Sequence, residues 1–357
     1  MDYNRILITG GAGFVGSNLA CAFRRDLDNT SIVALDNLKR RGSELALSRL
    51  GQAGVEFLHG DIRNPEDLAE AGPFDLLIEC SAEPSVHAGY DSRPAYLVNT
   101  NLVGTTHCLD AARRHGADVV LLSSSRVYPI GGLRSLPLET VGQRLDIQTD
   151  QSGPGWSSIG VSEDFPLEGA RSLYGATKLA SELLLTEYGE MYRLRTITNR
   201  CGVLTGPWQM GKMDQGFMVL WAARHLYGGP LAYIGFDGHG HQVRDILHVI
   251  DLYNLLRHQL EHIDIANGQT FNVGGGRGVS TSLAELTRLC EKHSGTHLDI
   301  GIDLGTRDAD VPWYVTDSTR VMSAFDWKPT RTVEDIVEEL FAWLTDHRTQ
   351  LEPILGS

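Results

Sequence analysis

The stretch Ile6-Leu7-Ile8-Thr9-Gly10-Gly11-Ala12-Gly13-Phe14-Val15-Gly16 leaves this chain few folds to choose from. Residues 5–9 form the apolar, β-prone run that a buried parallel strand requires. Glycines follow at 10, 13 and 16, and Leu19, Ala20 and Phe23 then recur at helical spacing. Strand, glycine turn and helix in that order are the setting in which such a triplet binds phosphate. Gly10 permits the tight turn, Gly13 lets a pyrophosphate reach the backbone, and Gly16 lets the helix pack closely on the strand. Phe14 and Val15 open that helix, whose N-terminus offers unpaired N–H groups and a partial positive charge. A glycine triplet alone is weak, but here an acid supports it. Ser31-Ile32-Val33-Ala34-Leu35-Asp36 reads as the second strand. Asp36, with Asn37 beside it, lies 20 residues past Gly16, where a carboxylate holds the adenosine ribose of a dinucleotide.

The first 125 residues alternate strand and helix. Strands are expected at 5–9, 31–36, 55–58, 74–79 and 118–123, and helices near 14–25, 43–51, 65–71 and 93–115. That alternation implies an α/β fold with a Rossmann-type doubly wound parallel sheet, and ligands then bind beyond the carboxyl ends of the strands. Each expected strand end carries small or polar residues: Gly10, Asp36, Asp61, Ser81-Ala82 and Ser123-Ser124-Ser125. One such residue is an ordinary helix cap. Five together favour an extended ligand lying across the sheet.

Residues 129–171, rich in Gly, Pro and Ser, break the rhythm and read as one long loop, functional or mobile. Helix resumes at 172–190 and strand at 194–199. A glycine-marked loop at 202–216 precedes a helix at 217–226, strands near 231–235 and 241–245, and helices near 249–261, 281–293 and 332–346. The expected division is a sheet domain over 1–200 and a smaller mixed α/β substrate lobe over 201–357, with segments returning to the sheet. A net charge of −14 argues against nucleic acid or an anionic membrane as partner. The five cysteines form no CxxC pair and read as small buried hydrophobes in a reducing compartment. With no leader-like start and no apolar run of about 18 residues, cytoplasmic is the expected location.

The second decisive motif is Tyr174-Gly175-Ala176-Thr177-Lys178, which places Tyr and Lys on one helix face. A phenol, with a reference pKa of about 10, is a poor base at neutral pH. A nearby ammonium, or an oxidised nicotinamide, favours its phenolate. Tyr174 can then take a proton from a sugar hydroxyl and later return it. Lys178 can also reach the nicotinamide ribose, and Ser124 can hydrogen-bond the reacting oxygen. In isolation Tyr-x-x-x-Lys is common. After a glycine turn, an acid-ended second strand and a serine-ended fifth strand, it reads as a redox site.

These motifs, with Asn99-x-Asn101-x-x-Gly104, Ser123-Ser124-Ser125-Arg126-Val127-Tyr128, Gln242-Val243-Arg244-Asp245-x-x-His248-Val249-x-Asp251 and Phe271-Asn272-Val273-Gly274-Gly275, span nearly the whole chain. The chain resembles the extended short-chain dehydrogenase/reductase family, whose members modify nucleotide-activated sugars on bound NAD(P). The resemblance implies that Asp61-Ile62 contacts adenine and that Ser81-Ala82, Asn99, Ser123 and Cys201 line the cofactor groove. It also implies that Arg244 and Arg307 carry the substrate diphosphate, and that the stretch Ala232-Tyr233-Ile234 holds the base. Lys212 and Gln215 grip the nucleotide or sugar, with Ser125, Arg126, Val203 and Asp310 among the substrate contacts. Arg40-Arg41 can accept a 2′-phosphate, but Asp36 repels one, so NAD is expected over NADP.

In the sugar 4,6-dehydratases an Asp-Glu pair that eliminates water follows the residue matching Ser124; here Ser125 and Arg126 stand there. The 129–171 insertion, Ser-Ser-Arg-Val-Tyr and Met213-Asp214-Gln215-Gly216-Phe217 are similar to the CDP-tyvelose (CDP-paratose) 2-epimerases. The expected activity is therefore epimerisation at C2 of a CDP-linked hexose or deoxyhexose through a transient keto-sugar. The alternatives are a UDP-hexose 4-epimerase, a dehydratase, or a non-catalytic NAD-binding sensor. His239-Gly240-His241 is read as solvent-facing rather than as a metal site, and Met210, Met213 and Met218 as packing. By the same resemblance the 93–115 and 172–190 helices form a homodimer face, with a tetramer as the alternative; Leu179, Leu183 and Leu184 are expected either to supply that face or to be intramolecular core.

Overall fold

The computed structural model describes residues 1–90, 94–211 and 215–356. Strands β1 (Arg5–Thr9), β2 (Ser31–Asp36), β3 (Glu56–His59), β4 (Leu76–Glu79) and β5 (Asp118–Ser124) come first. Then follow β6 (Leu138–Val141), β7 (Arg144–Ile147), β8 (Thr196–Cys201), β9 (Val203–Thr205), β10 (Ala232–Ile234), β11 (Val243–His248) and β12 (Gln269–Val273). The last are β13 (Ser280–Ser282), β14 (Gly301–Asp303) and β15 (Trp313–Tyr314). Seven of them form one parallel sheet in the order β12-β8-β5-β4-β1-β2-β3. Strand order reverses between β1 and β4, and the crevice above that point is where such sheets bind ligands.

Side-chain alternation along the strands builds two apolar layers. Ile6, Ile8, Ile78 and Val120 pack with Leu19 and Phe23 of the Phe14–Asp26 helix. Leu7, Leu77, Val119 and Leu121 face the opposite way, onto Cys108 and Leu109 of the Gly104–His115 helix and Leu185 of the Leu173–Tyr192 helix. A Cβ on Gly16 would sit 2.2 Å from the Gly10 carbonyl oxygen, so only glycine lets that first helix start so close to its strand. Beyond residue 200, β11 pairs with β9, β13 and β15, and β10 with β14. The helices at 217–227, 283–294 and 333–346 enclose a second core around Met218, Trp221, Leu286, Ile336 and Leu340.

Two expectations change. Residues 129–171 are not one open loop. They hold a short helix (Ile130–Arg134), the β6–β7 hairpin and small bridges at Gly153, Trp156 and Val161, and they bury Leu133, Ile147, Val161 and Phe165 against Trp313 and Tyr314. The segment is a packed wall, because its scattered apolar residues find a core that periodicity does not reveal. Among the expected dimer residues, only Leu183 is exposed, at 64 %. Leu179 and Leu184 pack inward.

Candidate active site

The head of the sheet opens into a cavity of about 350 Å³, within the range of small-molecule sites. Its wall includes Phe14 and Val15 from the glycine turn, Ala82 beyond β4, and Ser123, Ser124, Ser125 and Arg126 at the end of β5. Tyr174, Lys178, Cys201, Val203, Gln215 and Ala232 join them, with Arg244, Arg307 and Asp310. Segments distant in sequence thus converge on one space.

Local backbone geometry places the residues expected to carry redox chemistry. Ser172 caps the Leu173–Tyr192 helix, its hydroxyl accepting from the Gly175 N–H at 3.3 Å. A Cβ on Gly175 would lie 2.1 Å from the Arg126 carbonyl oxygen. Glycine there lets the helix start abut the turn after β5, which brings Tyr174 to the cavity that Ser124 also lines. The Ser124 hydroxyl accepts from the Arg126 N–H at 3.2 Å. Lys178, 2 % exposed, donates from Nζ to the Leu122 carbonyl at 3.1 Å. Behind them runs a buried polar chain. The Ser123 hydroxyl donates to Glu182, Glu182 pairs with Arg200 at 2.8 Å, and Arg200 reaches the Tyr128 hydroxyl, which donates to Asn272 at 2.7 Å.

The dinucleotide groove fits the sequence expectation in its backbone. Gly10 has φ of +63°, and the helix from Phe14 begins without a side-chain cap or an acid in its first turn, so its N–H groups are open to an anion. Asp36 accepts from the Ala12 N–H at 3.1 Å and the Leu38 N–H at 2.8 Å, which ties the acid to the glycine turn. Burial pushes its carboxyl above the usual range. Asn37 donates to Asp61 at 2.8 Å, and the Arg63 guanidinium holds the Asp61 carboxyl well below the usual value. Ser81 is buried, its N–H fixed by Glu79.

Several residues stand elsewhere than expected. Ile62 is a core residue, its side chain filling the space left by Gly104, so that side chain is not offered to a ligand. Asn99 is exposed and outside the cavity wall. The buried asparagine is Asn101, which clamps the Glu83 backbone through both amide atoms. A π-helical turn at 99–103 gives that stretch its own register. Arg40 turns away from Asp36, donating to Gln215 at 2.5 Å and to the Met210 carbonyl at 2.8 Å, while Arg41 donates to the Pro353 carbonyl. Tyr233 alternates away from its neighbours. Ala232 and Ile234 line the cavity, whereas the Tyr233 hydroxyl donates to Thr287 at 2.8 Å in the second core. Lys212, Met213 and Asp214 lie outside the described residues.

The cavity is rich in guanidinium. Arg244 pairs with Asp310 at 2.7 Å and donates to the Val311 carbonyl at 2.6 Å. Burial pulls it down to about 10, with Asp310 opposing and Arg126 adding to the fall. Asp310, expected as a substrate contact, is thus already the partner of Arg244. Arg126 donates to the Ala309 carbonyl at 3.0 Å. Burial lifts the Cys201 thiol to about 12, which leaves a neutral, apolar patch.

Two residues of the site have no role assigned from sequence. Glu79 ends β4 with 0 % exposure beside Lys178. A charge closing the apolar run Leu76-Leu77-Ile78 was the available signal. Gln242 lies in the cavity wall, its Nε2 held by the Ile234 carbonyl at 3.3 Å and its Oε1 buried without a partner among the described residues. Among the described residues no group of three His, Cys, Asp or Glu could hold a metal ion.

Residues 6–274 match the NAD dependent epimerase/dehydratase family. The chain belongs to that family. It is therefore an enzyme of the extended short-chain dehydrogenase/reductase type, working with NAD on nucleotide sugars. The CDP-paratose 2-epimerase of Salmonella typhi is 29 % identical over 95 % of this chain and 98 % of its own length. The UDP-glucose 4-epimerase of Erwinia amylovora is 26 % identical over 95 % and 97 %. A dTDP-glucose 4,6-dehydratase double mutant of Streptomyces venezuelae, crystallised with NAD and DAU, superposes with a TM-score of 0.79. It is 25 % identical and covers 98 % of this chain and 99 % of its own. Family membership thus fixes cofactor and fold across three different sugar chemistries.

Proposed function

We propose that this chain is an NAD-dependent nucleotide-sugar epimerase that inverts C2 of a CDP-linked hexose or deoxyhexose. The observation that carries the reading is the wall after Ser124. Ser125 and Arg126 stand where the dehydratases hold the acid pair that expels water, and Arg126 is anchored in the cavity by the Ala309 carbonyl. No carboxylate at those positions can trade a proton for a hydroxyl, so the keto-sugar is left to be reduced again. Similarity along nearly the whole chain to the Salmonella 2-epimerase favours C2.

In this reading NAD, when bound, accepts the hydride and gives it back. Gly10, Gly13 and Gly16 seat the pyrophosphate and Asp36 the adenosine ribose. Tyr174 moves the proton of the reacting hydroxyl, Lys178 favours its phenolate, and Ser124 steadies the oxygen. Arg244 and Arg307 bind the substrate diphosphate. Arg244 is already matched by Asp310, whereas among the described residues Arg307 forms no ion pair. Ala232 and Ile234 flank the base, and Gln242 Oε1 offers it or its ribose an acceptor.

The test is a panel of CDP-, GDP-, UDP- and dTDP-hexoses incubated with NAD-loaded protein and read by product stereochemistry. Inversion at C2 of a CDP-sugar is expected. Inversion at C4 of a UDP-sugar would favour the second reading, which similarity to the Erwinia enzyme supports. We also propose a homodimer across Val103, Leu183, Met191 and Tyr192, which expose 39 %, 64 %, 66 % and 43 % of their surfaces on the Leu173–Tyr192 helix and its neighbour. Sedimentation as a monomer at micromolar concentration would reject it.

A further inference from the structure

β4 closes on a charge that meets no water. Glu79 is 0 % exposed, and its Oε1 accepts from the Ser81 N–H at 3.0 Å. Among the described residues its Oε2 has no hydrogen-bond partner, and it lies 3.6 Å from Lys178 Nζ. Lys178 is 2 % exposed. Burial on this scale disfavours an ammonium and would drive a lone lysine neutral. Here burial pulls Lys178 down, but Glu79 first, then Tyr174 and Cys80, push it above the ordinary lysine value. Burial likewise lifts the Glu79 carboxyl, and Lys178 draws it back.

The other groups facing the pair are few. Cys80 is next to Glu79, Cys108 comes from the Gly104–His115 helix, and Cys201 ends β8; burial pushes all three thiols up, so they stay neutral. Thr9, the register partner of Glu79 on β1, has a buried hydroxyl without a partner among the described residues. Tyr174 sits one turn before Lys178. Among the described residues, Glu79 is therefore the one carboxylate within ion-pair distance of this lysine.

We propose that Glu79 is a positioning residue for the redox site: its buried carboxylate keeps Lys178 charged and, with the Leu122 carbonyl, holds Nζ at the head of β5 where the nicotinamide ribose hydroxyls are received. This rests on the reading of Lys178 as a cofactor contact. A purely structural Glu79 would leave cofactor affinity with an unchanged pH dependence. A Glu79 that keeps the lysine charged makes that dependence its own.

The experiment is NADH binding to the purified full-length protein, followed by fluorescence across about pH 6 to 10. Glu79→Gln keeps the size and removes the charge. Its affinity should stay near that of the unmodified protein at the acid end and fall at least tenfold more steeply by the alkaline end, as Lys178 loses its proton. Glu79→Asp, which keeps the charge, should retain the unmodified pH dependence even if it binds more weakly throughout. A Glu79→Gln curve parallel to the unmodified one overturns the proposal. If Glu79→Gln does not fold, Glu79→Gln combined with Lys178→Met should restore folding, since both buried charges are then gone. A double variant that stays unfolded also overturns it. Lys178→Met alone examines the underlying reading: unaltered NADH affinity there removes the lysine from the cofactor site, a failure separate from that of Glu79.

Discussion

Gly175→Ala is the smallest change that should separate Tyr174 from its partners. The added Cβ would lie 2.1 Å from the Arg126 carbonyl oxygen, a backbone atom that no side-chain rotation can move. Ordinary contacts sit at about 3.5 Å, so the start of the Leu173–Tyr192 helix must retreat by roughly 1.4 Å from the turn after β5. Tyr174 is the preceding residue and moves with it, while Ser124 stays on its strand. A misplacement of about 1 Å can cost about 100-fold in turnover. Alanine favours a helix by about 1 kcal/mol over glycine, and forcing volume into a packed site costs about 1–3 kcal/mol, so the loss of stability should be modest. The assay pairs steady-state turnover with a thermal melt and a measure of bound NAD. Turnover down by about two orders of magnitude, with NAD retained and a small melting shift, is the expected result. Full activity would refute the placement of the helix start, and with it the convergence of Tyr174 and Ser124.

Tyr174→Phe should lower turnover by about 10²–10⁴-fold while NAD stays bound, as for any lost general acid/base; near-normal turnover would remove Tyr174 from the chemistry. Arg307→Ala should raise KM for the nucleotide sugar by at least about tenfold with little change in kcat, because a diphosphate contact serves ground and transition states alike. Glu182→Ala leaves Arg200 buried and unpaired, and should cost about 3–5 kcal/mol in a urea titration. Burial pushes Asp245 up to about 6, against the hydrogen bond it accepts from the Gly276 N–H. The folded protein therefore holds a proton that the unfolded chain releases, and stability from this site falls as pH rises from about 4 to 6. Asp245→Asn should flatten that fall, seen as urea midpoints across the same range.

The parts of the fold that follow short-range rules were open to the sequence. The glycine triplet, Asp36 and the alternation of strand and helix predict β1 to β5, because each is dictated by local spacing. β12 was harder: Gln269–Val273 lies far along the chain and completes the sheet beside β8, a pairing set by tertiary contact. The 129–171 wall was hidden for the same reason, since Val161 and Phe165 are buried by partners beyond residue 310. That Tyr174, Lys178 and Ser124 line one cavity follows from local spacing, a Tyr-x-x-x-Lys on one helix face and a serine at a strand end. Tyr233 was misplaced because one step along a strand reverses a side chain's direction. Glu79 was missed because its meaning depends on Lys178, 99 positions away, and on a burial that sequence does not state.

Turnover of a CDP-hexose deuterated at C2, set against the same sugar deuterated at C4, tests the whole account most directly. Oxidation at C2 requires that carbon–hydrogen bond to break, so the C2 label should slow turnover and the C4 label should leave it unchanged. Slowing by the C4 label alone would contradict the account and move the chemistry to the other carbon.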